Sequence, residues 1–368
     1  MNSNSTRRHF LQTTVMTGAA LATLPALNLA AAGDGPIVLA LVGGAHIHTP
    51  GFIELLKGRA DVQVKYAWDH DRARAAKRAQ SLGCPAVDDL AVIWNDPAVV
   101  GVVICSETNR HPALVAGATR ARKHLFVEKP LGFTARESRS MAEAIAKSGR
   151  NFTTGYFMRT DPKHLFLKQQ VAAGAFGRIT RVSGWNCHSG SLGGWFDTEW
   201  RWMADPKQAG VGAFGDLGTH SLDIMMWLMG DVLEATATVS VVTGRYGTCD
   251  ETGQGLMKFR NGVSGALTAG WVDVANPVTL EIAGTEGHAL IVNDALFFQS
   301  KHVEGADGKQ PWTKLPPALR VPMHQWVDAI AGRTEGVALV TPAEAAARVA
   351  VMEAMYAGAR SDRWVKVS

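Results

Sequence analysis

The chain has 368 residues, of which 46% are hydrophobic and 19% charged, and a formal net charge of +4. That length predicts two domains, each able to bury its own core. The modest charge, with no Lys/Arg cluster interleaved with aromatics, argues against a nucleic-acid partner, and the scattered Cys84, Cys105, Cys187 and Cys249 argue against a disulfide framework or a cysteine zinc site.

The first 32 residues read as an address. Thr6-Arg7-Arg8-His9-Phe10-Leu11 resembles a twin-arginine export signal, and a mildly apolar stretch to Leu29 leads into Ala30-Ala31-Ala32, a small-residue cleavage site. A lipid-facing anchor or a chance arginine pair is the alternative. Export by the twin-arginine translocase predicts a periplasmic protein that folds around its cofactor first. No later run is long enough to span a bilayer, so the mature protein is expected to be soluble.

From residue 36 the chain alternates strand and helix. Strands are predicted over 36–41, 62–67, 99–105, 124–127 and 152–156, with helices over 50–57, 72–82, 89–94, 111–122 and 135–147. Such alternation means a doubly wound parallel sheet, an α/β Rossmann domain over 36–157. Beyond residue 158, after a helix at 163–173, strands dominate: 179–185, 233–242, 255–260, 263–271, 278–282 and 289–292. Asn261-Gly262 is a hairpin signal. Residues 158–368 therefore read as an α+β domain with a largely antiparallel open sheet, closed by a helix at 342–359 and a short strand at 364–367. This domain is expected to bind substrate and to carry a homo-oligomer face, dimer or tetramer.

Chemistry collects at the ends of the parallel strands. The first turn, Val42-Gly43-Gly44-Ala45-His46-Ile47-His48, is a degenerate dinucleotide fingerprint in which Gly43, Ala45 and His48 take the three glycine positions. Its context supports it, since a strand precedes it and a helix opened by Thr49 as N-cap and Pro50 follows. An acidic residue, Asp69, ends the next strand 21 residues past His48. Asp69 would accept the ribose hydroxyls and repel a 2′-phosphate, favouring NAD over NADP. His46 and Ile47 would line the cofactor loop. A His-x-His pair after a strand also begins some barrel metal sites. No later set of metal-spaced His and Asp residues matches it, so no metal is expected.

Glu128-Lys129-Pro130 follows the strand 124–127 and places a lysine at the crevice. Asp216 and His220, four residues apart, share a helix face. Four tryptophans, Trp185, Trp195, Trp200 and Trp202, fall within eighteen residues. With Arg201 they form a candidate sugar-binding surface, or alternatively a packed loop lid. His188 and Arg159 are candidate further donors to hydroxyls.

Glu128-Lys129-Pro130, Asp216…His220 and the intervening Gly210-Val211-Gly212-Ala213-Phe214-Gly215 resemble the glucose-fructose oxidoreductase/inositol dehydrogenase/rhizopine-catabolism (Gfo/Idh/MocA) family, from about Val38 onward. The resemblance implies a two-domain, nicotinamide-dependent oxidoreductase of sugars, polyols or related carbinols. Where the family shows Thr-Pro-Asn-x-x-His, this chain has Ser106-Glu107-Thr108-Asn109-Arg110-His111; Ser106 and His111, with Glu128 and Lys129, are expected at the cofactor.

The expected chemistry is oxidation of a carbinol, with His220 taking the hydroxyl proton, Lys129 polarising the oxygen and Asp216 orienting both. A periplasmic enzyme meets no free nicotinamide pool, so the NAD would be tightly bound. A redox-neutral glycosidase or lyase working through a keto-sugar and a sugar–sugar oxidoreductase fit the same residues. A non-enzymatic sugar or dinucleotide sensor is the rival from another class.

Overall fold

The computed structural model describes residues 35–368, so the export segment lies outside the described residues. Five strands, β1 (Ile37–Gly44), β2 (Val62–Trp68), β3 (Gly101–Cys105), β4 (His124–Val127) and β5 (Phe152–Thr154), form a sheet in the order β2-β1-β3-β4-β5. Every pairing in it is parallel. Its inner strands are near-continuous apolar runs because helices cover both faces. The strand order reverses between β1 and β3, and the crevice at that switch point faces the carboxyl ends of the strands.

The second sheet has nine strands: β6 (Ile179–Cys187), β7 (Val232–Ser240), β8 (Thr252–Phe259), β9 (Ser264–Gly270), β10 (Val278–Gly284), β11 (Gly287–Val292), β12 (Ala295–Ser300), β13 (Asp307–Pro311) and β14 (Val365–Lys366). Their order is β13-β12-β11-β10-β6-β9-β8-β7-β14. β6 and β9 run parallel and the other pairs antiparallel. The helix Ala213–Met229 packs under this sheet and is buried nearly all round, from Phe214 to Met229. A helix apolar on every side belongs in a core, and this one carries Asp216 and His220 into it.

Two features depart from the sequence reading. β12 and β13 were not expected. The turn before β12, Asn293-Asp294, has positive φ at both residues, the requirement of a two-residue hairpin. The helix Pro322–Ile330 was also missed; Pro322 opens it, and Met323, Trp326 and Val327 pack on the parallel sheet. The chain thus returns to the first domain after leaving it at residue 158. The last helix, Pro342–Ser361, belongs to both cores, with Ala345, Ala346 and Val349 in one and Val351, Met352 and Met355 in the other. No helix among the described residues is long and apolar enough to cross a membrane.

Candidate active site

The turn after β1 is built for close approach. Gly43 has φ +85°, and a Cβ there would stand 2.6 Å from the Ser106 Cβ, so no side chain fits. The following amides are mostly tied down: Gly44 N–H donates to Asp69 Oδ2 (2.7 Å), His46 N–H to the Cys105 carbonyl (2.9 Å) and His48 N–H to His46 Nδ1 (3.2 Å). The amides of Ala45 and Ile47 find no protein acceptor among the described residues. They lie beside the N-terminus of the helix Thr49–Lys57, where anions are favoured. Thr49 does not cap this helix as expected. His48 occupies the cap position and Thr49 is the first helical residue.

Asp69 is buried at the end of β2, where burial opposes its charge. The Arg74 guanidinium holds it below the usual carboxylate range, grasping both oxygens at 2.7 Å, with help from the Asp71 and Gly44 amides. Arg74 also donates to Glu107 Oε1 at 2.8 Å. Glu107, where the family motif has proline, thus sets a second buried carboxylate beside the first. These features fit a dinucleotide: two free amides for phosphate oxygens, a side-chain-free approach at Gly43, and an acidic strand end.

Glu128-Lys129-Pro130 lies at the mouth of the crevice, with a cis bond before Pro130. Glu128 is fully buried; its Oε2 accepts the Lys129 amide (2.6 Å) and its Oε1 meets His48 Nδ1 (2.9 Å). Gly155 makes room for it, since a Cβ there would sit 2.9 Å from Oε2. Lys129 reaches across to the second domain and donates from Nζ to Asp216 Oδ1 at 2.7 Å. The Trp271 indole N–H donates to Asp216 Oδ2 at 3.2 Å. Burial alone would raise the Asp216 carboxyl, but the charge and hydrogen bond of Lys129 bring it down to about 2.

His220 sits one turn further along the helix. Burial pushes its imidazole well below 6.5, and the Lys129 charge adds to the effect. It is therefore neutral at pH 7. Its Nδ1 is buried without a partner, and its ring is flanked by Tyr156 at 6.1 Å and Phe157 at 5.2 Å between centroids. The helix has only Gly212 at its N-cap. Asp250 from the adjoining loop caps it instead, accepting the Phe214 amide (2.9 Å), while the Tyr356 hydroxyl donates to Asp250 and accepts the Gly212 and Gly215 amides.

The other residues singled out in the sequence divide sharply. His188 lies at the site, within the fields of Asp216 and Lys129. Its ring stacks on Trp195, 4.7 Å between centroids. Arg159 does not reach the site. It grips Asp223 (2.6 and 2.8 Å) and Glu344 (2.8 Å), tying the buried helix to the last one. Trp185 is on the wrong face of β6: Gly184 abuts Met225 and Asn186 bonds the Leu217 carbonyl, so alternation turns Trp185 to the open face of the sheet. Trp202 is buried and donates its indole N–H to the Ala45 carbonyl (3.0 Å), pinning the nucleotide turn. Trp200 packs in the same cluster, and Arg201 lies over the Tyr246 ring. The tryptophan group is mainly packed, and Trp195, exposed and set against His188, is the exception. Ser106 abuts Gly43, while His111 is buried behind the turn and bonds the Leu131 carbonyl at 3.2 Å. Ile47 is half-buried beside the lid cluster.

Two family models match the chain: "Oxidoreductase family, NAD-binding Rossmann fold" over residues 37–156, and "GFO/IDH/MocA C-terminal domain" over residues 164–290. The chain belongs to the Gfo/Idh/MocA family. Among curated relatives it is 28% identical over 238 residues to levoglucosan dehydrogenase of Pseudarthrobacter phenanthrenivorans, covering 58% of this chain and 60% of that protein. It is 26% identical over 227 residues to the scyllo-inositol 2-dehydrogenase (NAD(+)) of Bacillus subtilis, covering 60% and 63%. These matches span only about three-fifths of each relative. Among solved structures the fold matches a levoglucosan dehydrogenase in complex with NADH and levoglucosan (TM-score 0.73, 23% identity, 90% of this chain and 99% of that one). It also matches the WlbA dehydrogenase of Bordetella pertussis in complex with NADH and UDP-GlcNAcA (TM-score 0.77, 16% identity, 91% and 99%).

The family's two-domain plan puts the crevice and the buried helix face to face here. The motifs Glu128-Lys129-Pro130 and Asp216…His220, remote in sequence, meet across that gap through one ion pair. Sequence reasoning missed Arg74, Phe157 and Trp271. Arg74 was legible as a cation one turn after Asp69; the other two carried no sequence signal.

Proposed function

We propose that this chain is an NAD-dependent dehydrogenase that oxidises a carbinol of a sugar, polyol or glycoside. The observation that carries this reading is His220, a neutral buried imidazole whose Nδ1 has no protein partner among the described residues, set beside the Lys129–Asp216 pair at the mouth of the nucleotide crevice. A neutral imidazole accepts the hydroxyl proton as the carbinol is oxidised. The Lys129 ammonium, held by Asp216, donates to the same oxygen and stabilises the charge developing there. Asp216 is itself aimed by the Trp271 indole, so the donor is fixed before substrate arrives. When bound, nicotinamide supplies the hydride acceptor. Phe157, half-exposed beside His220, and the Trp195–His188 stack offer apolar faces to the C–H side of a sugar ring.

The cofactor preference we infer is NAD over NADP. Asp69 and Glu107 place two carboxylates around Arg74, so a 2′-phosphate would meet repulsion, and the guanidiniums at this end are already engaged, Arg74 by both carboxylates and Arg110 by Glu107. The Arg7-Arg8 segment supports an exported, periplasmic enzyme that retains its cofactor tightly. The open face of the nine-stranded sheet, with Leu256 exposed among polar neighbours, supports a homo-oligomer.

The test is turnover with a panel of sugars, inositols and anhydrosugars. His220→Ala should lower kcat roughly a hundredfold or more on whichever carbinol is oxidised, the scale of losing a positioned base. Near wild-type turnover in that variant, with the fold intact, would remove His220 from the chemistry.

A further inference from the structure

His46 and His48 come from the turn after β1, and Glu128 from the end of β4. Glu128 Oε1 lies 2.9 Å from His48 Nδ1 and 3.9 Å from His46 Nδ1. One donor atom from each of the three residues falls within 4.8 Å of the other two. A first-row ion with bonds near 2.0–2.1 Å in tetrahedral geometry spaces its donors by about 3.3 Å. The known spacings, 2.9 and 3.9 Å with none above 4.8 Å, bracket that value; side-chain rotation, with His46 releasing Nδ1 from the His48 amide or offering Nε2, would close the three around an ion.

The electrostatics point the same way. Glu128 is completely buried, and its natural counter-charge, the neighbouring Lys129, is spent on Asp216. Glu128 Oε2 is taken by a backbone amide, which leaves Oε1 facing only the two imidazoles. A buried carboxylate without a cation is costly. Neutral imidazole and carboxylate are the ligand forms that metals need.

We propose that His46, His48 and Glu128 bind one divalent transition-metal ion through two imidazole nitrogens and one carboxylate oxygen, with its remaining positions open to the cleft. Two imidazoles with one carboxylate suit zinc, iron or cobalt better than magnesium or calcium. His48 is half-exposed, so the ion has an entry path. The site uses side chains only and leaves the Ala45 and Ile47 amides free for phosphate oxygens. The third ligand is remote in sequence: the fold supplies it from the end of a strand eighty residues on.

The experiment uses untagged protein, stripped with a chelator, with Co²⁺ and Zn²⁺ as probes. One equivalent of Co²⁺ should give visible d–d bands, and Zn²⁺ should displace it and raise the melting temperature. His48→Ala and His48→Gln should each weaken binding at least tenfold and abolish the thermal shift. Because His48 is partly exposed, both variants should fold, which covers the case in which His46→Ala does not. His302→Ala, which removes an exposed His302–Glu286 surface pair, should leave binding unchanged. Sub-stoichiometric binding, binding indifferent to His48, or binding lost with His302 would each overturn the site. None of these results depends on turnover, so the metal site and the dehydrogenase reading can fail separately.

Discussion

The Lys129–Asp216 pair is a structural and a chemical element at once, and the two roles separate by mutation. Lys129 is 2% exposed and Asp216 13%, with 2.7 Å between Nζ and Oδ1. Lys129→Met keeps the aliphatic stem and removes the charge, stranding a carboxylate that Lys129 had held at about 2. Breaking one partner of a buried pair costs about 3–5 kcal/mol. Asp216 keeps the Trp271 indole and a position in the first helical turn, so the loss should lie near the lower end, about 3 kcal/mol. With its folded pKa now above the unfolded one, Asp216 opposes folding at neutral pH, and the deficit should shrink as pH falls through the raised pKa. Asp216→Asn removes the stranded charge, so the double variant should recover all but about 1 kcal/mol of the deficit. Activity should not follow: Lys129→Met should lose roughly a hundredfold in kcat/KM with or without Asp216→Asn. Urea unfolding at pH 7 and steady-state turnover give the two readouts. A single variant as stable as wild type, or a double variant that regains turnover, would refute the assignment.

Two further outcomes follow from the same structure and a third from the sequence. His46 titrates at about 3 when folded and near 6.5 when unfolded, so its contribution is complete above pH 6.5 and is lost as pH falls toward 3; at pH 5 the loss is about 2 kcal/mol. His220 is depressed in the same sense and adds to it, so urea midpoints should fall between pH 7.5 and 5, and a flat profile would contradict the neutral burial of both rings. Asp69→Ser with His70→Arg should move the NAD/NADP ratio of kcat/KM toward NADP, and tightly held NADP in the wild-type protein would contradict the strand-end reading. Replacing Arg7 and Arg8 with lysine should leave the protein in the cytoplasm with its leader uncut, as cell fractionation would show; normal export would rule out the twin-arginine route.

How much of this was legible in sequence depends on the range of the interaction. The parallel sheet was readable because each of its strands is a local apolar run bounded by turn residues, and Asp216 and His220 because four residues span one helical turn. Lys129 was readable as a strand-end residue, though its contact with Asp216 spans 87 positions. The tryptophans misled for a physical reason. Composition shows how many aromatics a segment has, while strand parity and burial decide where they point. Parity sent Trp185 to the open face, and burial used Trp202 to hold the nucleotide turn. Arg159 was expected to donate to substrate, but its acidic partners Asp223 and Glu344 come from helices that sequence could not bring together. The helix Pro322–Ile330 carried a readable signal, Pro322 at its start with apolar residues at 323, 326, 327 and 330, and was overlooked because it lies in a Pro-rich stretch.

The central claim is that a carbinol hydride leaves the substrate while His220 takes the hydroxyl proton. The direct measurement is a comparison of protiated and ring-carbon-deuterated forms of the best substrate, followed through reduction of enzyme-held NAD in single turnover. Deuterium should appear at C4 of the nicotinamide and transfer should be slower for the deuterated sugar, with the rate of transfer lowered for both forms in His220→Ala. Reduction without deuterium at C4, or no reduction by any sugar, polyol or glycoside, would contradict it.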